Sequence, residues 1–313
     1  MWLDERGARL MFGSIDPLLL LASLMVAATP IVFAAIGELV VERAGVLNLG
    51  VEGMMITGAV CGFIVAVQTG SPLLGFAGAA VGGAALSLLF AALTQYLLSN
   101  QVATGLALTL FGLGLASLLG QGWVGIRAPS VPDLPLGPLR DIPVLGPVLF
   151  RHDPMVYLGL LVCLGVWWFL NRTRGGLILR AVGDNHDAAH ALGYRVVRVR
   201  VLAILFGGAM AGLGGAYLSL VRVPTWTDGI TAGAGWIALA IVVFASWRPG
   251  RLVIGAYLFG GVAQLQLNLQ AAGVRVPVEI LSMSPYIATI LVLVLLSAGR
   301  APGCLGRSFH AAR

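Results

Sequence analysis

Apolar residues in this chain do not alternate with polar ones; they run together. Nine apolar stretches can be read: Pro17–Gly37, Val51–Val67, Leu73–Leu98, Ala103–Leu119, Val156–Leu170, Val201–Leu220, Gly233–Ala245, Leu252–Leu269 and Pro285–Leu296. A bilayer-spanning helix needs about 17–25 such residues, which the first six supply in full or nearly so and the last three approach. The pattern predicts an all-α integral membrane protein, a polytopic helix bundle of about nine spans within a range of 8–10. A polar segment at 1–16 precedes a transmembrane domain over 17–298, and a tail over 299–313 follows it. Two connections stand out by length, Gly120–Met155 and Asn171–Arg200.

Arginine sets the orientation. Asn171–Arg200 carries Arg172, Arg174, Arg180, Arg195, Arg198 and Arg200. An arginine at a helix centre costs about 2.5–3.5 kcal/mol to insert, so such a loop stays cytoplasmic. Alternation then puts Ser246–Arg251 and the C-terminus inside as well, with Glu38–Gly50. Gly120–Met155 falls outside, and so does the N-terminus. Trp167 and Trp168 before Arg172, and Trp247 before Arg248, suit one headgroup level; Trp123, Tyr157 and Trp226 suit the other.

Composition supports the same class. Of 313 residues 58% are hydrophobic and 10% charged, against about 25% charged in soluble domains, and mean hydropathy is +0.95. All 19 basic residues are arginine. The lack of lysine excludes a P-loop and Schiff-base chemistry. The net charge of +6 follows from the arginines between spans, so no nucleic-acid partner is implied. Cys61, Cys163 and Cys304 form no CxxC pair, which supports neither a disulfide framework nor a zinc knuckle. The first 16 residues are too polar for a signal h-region, and the first apolar run is expected to be retained.

Several segments carry candidate chemistry. Glu38–Glu52 holds Glu38, Glu42, Arg43, Asn48 and Glu52 among glycines. It reads either as a short solvated inner loop or as a discontinuous helix whose open backbone lines a path. Gly58–Gly62, Gly78–Gly82 and Gly208–Gly212 fit GxxxG, ordinary close helix packing. The seven prolines of Gly120–Met155 favour an extended, stiff segment, either a cap on the outer mouth or a passive connector. In Ala181–Gly193, Asp184 or Asn185 can cap a helix, Asp187 suits its first turn, and Gly193 can end it. A helix over Asp184–Leu192 is therefore expected in the cytoplasmic loop, with Ala188, Ala189 and Leu192 as a small apolar docking face. His186 and His190 lack a third metal ligand nearby and are expected to face solvent or a partner. Gln95, Thr104, Thr109, Gln264, Gln266 and Asn268 should turn inward from lipid. Gln264 and Asn268 share one helix face. They bond either a polar solute or neighbouring helices. No span carries the acidic or histidine ladder of a proton relay, and no His/Asp/Glu cluster converges as a membrane metalloenzyme needs. A stand-alone secondary transporter remains the alternative class.

Glu42-Arg43-Ala44-Gly45-Val46-Leu47-Asn48-Leu49-Gly50-Val51-Glu52-Gly53-Met54-Met55 resembles the signature of ABC-importer permeases for nucleosides, relatives of simple-sugar and branched-chain amino-acid permeases. Thr173–Leu177 running into Arg180–Asn185, then Thr231-Ala232-Gly233 with Gly235–Ala240, then Trp247-Arg248-Pro249, match in order. Many relatives have proline where this chain has His186, arginine near His190, and a charged residue at Ala234. The resemblance implies the permease subunit of an importer in the cell membrane, itself without enzymatic activity and without a bound cofactor. It implies separate ATPase subunits that use ATP and Mg, a second permease chain (a related hetero-partner), and an extracytoplasmic substrate-binding lipoprotein. It implies a small-molecule solute, a nucleoside first and a sugar or branched-chain amino acid as alternatives. It also places the ATPase-coupling segment at Asp184, Asn185, Asp187, Ala188, Ala189, Leu192 and Gly193. Asn48 and Glu52 by the signature, with Gln264 and Asn268 by their polarity, are the candidates for the solute path.

Overall fold

The computed structural model describes residues 17–134, 137, 140, 142–143, 145–271, 277, 283, 287, 290, 294 and 301–310. Its elements are helices α1 (Pro17–Arg43), α2 (Val51–Thr69), α3 (Pro72–Ala91), α4 (Gln101–Gly120), α5 (Leu145–Leu149), α6 (Pro154–Arg172), α7 (Arg174–Asp184), α8 (His186–Ala191), α9 (Val196–Tyr217), α10 (Ala234–Phe244) and α11 (Pro249–Ala271). Helices α3 and α9 each end in a π turn, Ala92–Tyr96 and Leu218–Arg222. Two isolated bridges join Val124 to Trp226 and Arg127 to Thr225.

The starts follow local chemistry. Ser71, Asn100, Asp153, Thr173 and Asn185 each accept a hydrogen bond from the first turn of the helix that follows, satisfying donors that a helix start leaves free. Pro72 and Pro154 stand just inside two of these starts, where a missing N–H costs nothing.

Among the described residues, seven helices are long and apolar enough to cross a membrane: Leu20–Arg43, Val51–Thr69, Pro72–Tyr96, Gln101–Trp123, Pro154–Arg172, Val196–Arg222 and Pro249–Gln270. This differs from the nine-span reading in three places. The first span does not stop at Gly37 but continues to Arg43, so Glu38 and Glu42 are helical. The expected span Gly233–Ala245 is an 11-residue helix, about 16 Å at 1.5 Å per residue and so half of a ~30 Å hydrocarbon core. The expected span Pro285–Leu296 lies almost wholly outside the described residues.

Helix α1 is the buried mast: nearly every side chain from Met25 to Glu42 is enclosed. Helices α2, α3 and α9 pack on one another through glycine. A methyl group built on Gly58 would collide with the Gly212 backbone, one on Gly212 with the Ala79 carbonyl, and one on Gly83 with the Gly208 carbonyl. Such backbone approach replaces the hydrophobic effect, which lipid does not supply between helices. By contrast α4 and α6 expose Leu106, Leu110, Phe111, Leu161, Leu164, Trp167 and Trp168, apolar outer faces of the single chain. Trp226 was expected at the outer interface, but it is buried beneath Gly120, its ring 6.3 Å from Phe63. At the same end Asp153 both caps α6 and accepts 2.7 Å from the Tyr217 hydroxyl of α9.

Gly212→Val forces two backbones apart and should cost several kcal/mol, at or above the usual ~1–3 kcal/mol of overpacking. Gly114 has nothing within 4 Å of an added methyl, so Gly114→Ala should be neutral or stabilising. Thermal unfolding in detergent distinguishes the two; equal midpoints would contradict this packing account.

Candidate functional site: a capped half-helix and the loop that carries its cap

Helix α10 begins inside the bundle. Its C-terminal turn leads to Trp247, whose carbonyl accepts two bonds from Arg43 at the end of α1, at 3.1 and 2.9 Å. Measured from that end at 1.5 Å per residue, its 11 residues reach about 16 Å into a hydrocarbon core of ~30 Å. The chain reaches that point from Arg222 through non-helical residues 223–233, with Gly229, Ala232 and Gly233 at φ of +67°, +45° and +83°. Irregular backbone at membrane depth must be satisfied by protein or line a cavity. Glu52 supplies the satisfaction. Buried in the first turn of α2, it accepts from Thr231 Oγ1 at 2.5 Å and from the N–H groups of Gly233 at 3.0 Å and Gly235 at 2.7 Å. One carboxylate thus caps the positive end of the half-helix. A methyl on Gly235 would sit 2.6 Å from the Glu52 backbone, so glycine is required there for close approach.

The segment Ala44–Gly50 carries this cap. It is not a solvated loop, because most of it is buried. Asn48 donates through its backbone N–H and Nδ2 to the Glu38 carboxylate at 3.3 and 3.4 Å, and its Oδ1 accepts from Gly50 N–H at 2.9 Å. Leu47 N–H donates to Gln101 Oε1 at 2.8 Å, and Thr109 donates to the Leu49 carbonyl at 3.0 Å. Asn48 and Glu52 therefore serve one device: the first fixes the loop to α1, and the second fixes α10 to the loop. Gln95 and Thr109 are buried, as expected of polar groups in spans.

The arginine-bearing segments converge at one end. Trp247 Nε1 donates to Glu42, so this tryptophan is held in the bundle rather than at a headgroup. Ser246 and Trp247 adopt φ of +50° and +56°, a strained turn that these bonds hold. Arg200 is fully buried and donates to the Ala44 carbonyl at 3.2 Å, the Arg307 carbonyl at 2.9 Å and His186 Nδ1 at 3.1 Å. The tail joins in: Cys304 N–H donates to the Gly183 carbonyl at 2.9 Å and Gly306 N–H to the Gly45 carbonyl at 3.2 Å. Phe309 packs with Val182, Ala189 and Val196, under the edges of His186 and His190.

A short helix does occupy the expected place, but with different faces. Asn185 is its N-cap, bonded to Ala188 N–H at 3.0 Å, while Asp184 ends α7. Gly193, at φ +87°, donates to the His190 carbonyl and closes the helix. Asp187, Ala188 and Leu192 are exposed. Ala189 is buried against this chain's own Val182 and Phe309, and cannot belong to an outward docking face. His186 likewise faces inward, because Arg200 offers it a donor. Burial and the Arg200 guanidinium push its imidazole below the ordinary value.

Between α1, the π turn after α9, residues 230–232, α10 and α11 lies a cavity of about 240 Å³. Its polar side chains are Arg222, Thr231 and Gln266. Gln264 and Asn268 are half-buried on α11 and do not line it. Gln266 turns inward as expected of an amide in a span; Arg222 carried no expected role, because it lies in the connection between the expected spans Val201–Leu220 and Gly233–Ala245. A second, larger groove of about 600 Å³, lined by α1, α6, α7 and α9, is wholly apolar in its side chains. Among the described residues no three His, Cys, Asp or Glu side chains converge as a metal site.

The model of the family described as the branched-chain amino acid transport system / permease component matches residues 20–298, and the chain belongs to that family. It is 43% identical over 296 residues to the "Putative glucose ABC transporter permease protein TsgC13" of Haloferax volcanii, covering 88% of this chain and 90% of that one. It is 32% identical over 292 residues to the nucleoside ABC transporter permease protein NupC of Lactococcus lactis, covering 88% and 92%. It is also 32% identical over 291 residues to the guanosine ABC transporter permease protein NupQ of Bacillus subtilis, covering 86% and 89%. A solved ABC transporter in an inward-facing conformation shares the fold at a TM-score of 0.51 and 18% identity, over 94% of this chain and 89% of that one. The chain is thus a permease subunit of an ABC transporter, a multi-pass membrane protein that is not itself an enzyme. Membership implies an ATPase and a binding protein as partners.

Two consequences can be measured. Glu52→Gln turns an amide NH₂ toward backbone donors and leaves one of them unbonded, which should cost roughly 1–3 kcal/mol. Thermal unfolding of the purified subunit should drop, with faster proteolysis within 223–235; an unchanged midpoint and cleavage pattern would show that the cap is dispensable. His186 holds its Arg200 bond as the neutral ring. That contribution is intact above about pH 6.5, the ordinary imidazole value, and is lost as pH falls through it toward the depressed value. Hydrogen-exchange protection of 186–191, taken relative to the intrinsic amide rate at each pH, should therefore fall on acidification, and His186→Asn should remove the dependence.

Proposed function

We propose that this permease imports a nucleoside, handed over by an extracytoplasmic binding lipoprotein and driven by separate ATPase subunits that use ATP and Mg. The observation that carries the choice of an uncharged solute is the Glu52 cap. The N-terminal end of a half-helix inside a membrane is the natural seat for a ligand carboxylate, and here the chain's own carboxylate fills it. An amino acid would gain nothing there. Two relatives named for nucleoside and guanosine transport, each 32% identical over most of both chains, support the nucleoside. A hexose is the second reading, favoured by the 43% identical relative named for glucose.

In this reading Asn171–Arg200 and the C-terminus are cytoplasmic, and the ATPase docks on the exposed contour of α8. That contour comprises Asp184, Asn185, Asp187, Ala188, Leu192 and Gly193, while Ala189 roots the helix in the permease. ATP-driven closure of the ATPases moves α8, and the bundle alternates access. A second, related permease completes the pair.

Reconstitution with ATPase, second permease and binding protein tests both parts. ATP-dependent uptake of labelled guanosine, competed poorly by glucose, is expected. Preference for glucose would select the second reading, and preference for leucine would overturn both. Leu192→Asp should lower ATPase recovery and solute-stimulated hydrolysis several-fold; wild-type values for both would remove α8 from coupling.

A further inference from the structure

The cavity beside Arg222 has features that a packing defect lacks. Its floor is the irregular segment before α10, where Ala232 holds φ +45°, a strained conformation that persists only when its surroundings enforce it and that gathers at functional sites. One wall is α1 at Pro30, where the missing N–H leaves the helix a hydrogen bond short. Another is the π turn Leu218–Arg222, closed by Val223 N–H on the Leu218 carbonyl at 2.9 Å. Such widened turns break α register and recur at functional sites. Three independent departures from regular helix thus surround one space.

The chemistry of the lining is equally specific. Arg222 presents donors only, and among the described residues the neighbour that favours its charge is Tyr217. Arg222 is the last residue of the span Val196–Arg222, where a long cationic side chain ordinarily snorkels to the interface, and here it lines the cavity instead. Gln266 offers both donor and acceptor. Thr231 gives its hydroxyl proton to Glu52, which leaves its oxygen free to accept. The remaining lining is apolar or backbone. At about 240 Å³ the space is smaller than the roughly 300–1,000 Å³ of drug-sized sites, the scale of a hexose or a nucleoside.

We infer that this cavity is the solute subsite within the permease. Arg222 donates to a carbonyl or hydroxyl oxygen of an uncharged ring solute, Gln266 brackets a hydroxyl pair, and Phe259 and Ile31 cover the ring's apolar face. This rests on the nucleoside-or-sugar reading above. Glu52 is then indirect: it touches no solute but holds the Thr231–Gly235 wall in place.

The test uses the reconstituted complex with labelled guanosine and labelled glucose as probes. Gln266→Ala and Arg222→Gln should each raise the KM of the transported probe by roughly tenfold, the value of one lost polar contact. Gln266→Asn and Arg222→Lys should recover part of the loss, which a merely structural role would not predict. Ala263→Phe should fill the cavity and abolish uptake while ATPase still co-purifies. Wild-type KM in Gln266→Ala and Arg222→Gln, or undiminished uptake by Ala263→Phe, would overturn the assignment. If a variant fails to assemble, protection of a cysteine placed at Ala263 from maleimide by the probe decides instead, and absence of protection counts against the subsite. If the wild-type complex moves neither probe, the solute reading fails in the wild type, and the subsite assigned to that solute class falls with it.

Discussion

A backbone that leaves its helix inside a bilayer must find a protein partner for every freed donor, because the hydrocarbon offers none. In this permease that constraint falls on residues 223–233, and Glu52 meets it. Its two oxygens take three donors from the segment and from the first turn of α10. The cap works only if Glu52 is held at the right depth, so the loop Ala44–Gly50 is anchored in turn to Glu38, Gln101 and Thr109. Asn48, the one polar side chain of the loop, holds it to α1, and what the loop positions is the wall of a cavity.

Enclosing so many polar groups requires helices to come unusually close. Glycine faces on α2, α3 and α9 let one backbone lie directly against another, closer than any side chain would permit, and dispersion and shape hold them where lipid is as apolar as leucine. The outer helices α4 and α6 do the opposite, turning leucine and tryptophan outward. The bundle thus has a glycine-packed interior flanked by helices whose outer faces are apolar.

Contacts run without a break from the exposed helix α8 to that interior. His186 bonds Arg200, Arg200 bonds the Ala44 carbonyl, and the loop from Ala44 leads to Asn48 and Glu52. The tail is stapled to the same node through Cys304, Gly306 and Arg307. Through these bonds α8 is tied to the loop that carries the cap.

Seven of the nine expected spans, the cap at Asn185 and the clustering of the arginine segments at one end were legible in the sequence. Run length, capping residues such as Asn185, and arginine's cost in lipid are each properties of a few neighbouring residues. Glu52 and Asn48 were legible as important through a contiguous signature, and the GxxxG faces through their spacing. The roles were not legible. Glu52 meets Gly233 and Gly235 across some 180 positions, and nothing local in either segment states the pairing. The same holds for Ala189, which looked like a docking residue until Phe309 of the tail covered it. It holds again for Gln266, one of several amides along α11 until the π turn and the half-helix brought Arg222 and Thr231 opposite it. Local pattern decided where the chain crosses and turns. Tertiary structure alone decided which buried polar groups satisfy one another and which are left facing an open cavity, because in lipid that account is settled only by whatever the fold brings within hydrogen-bond reach.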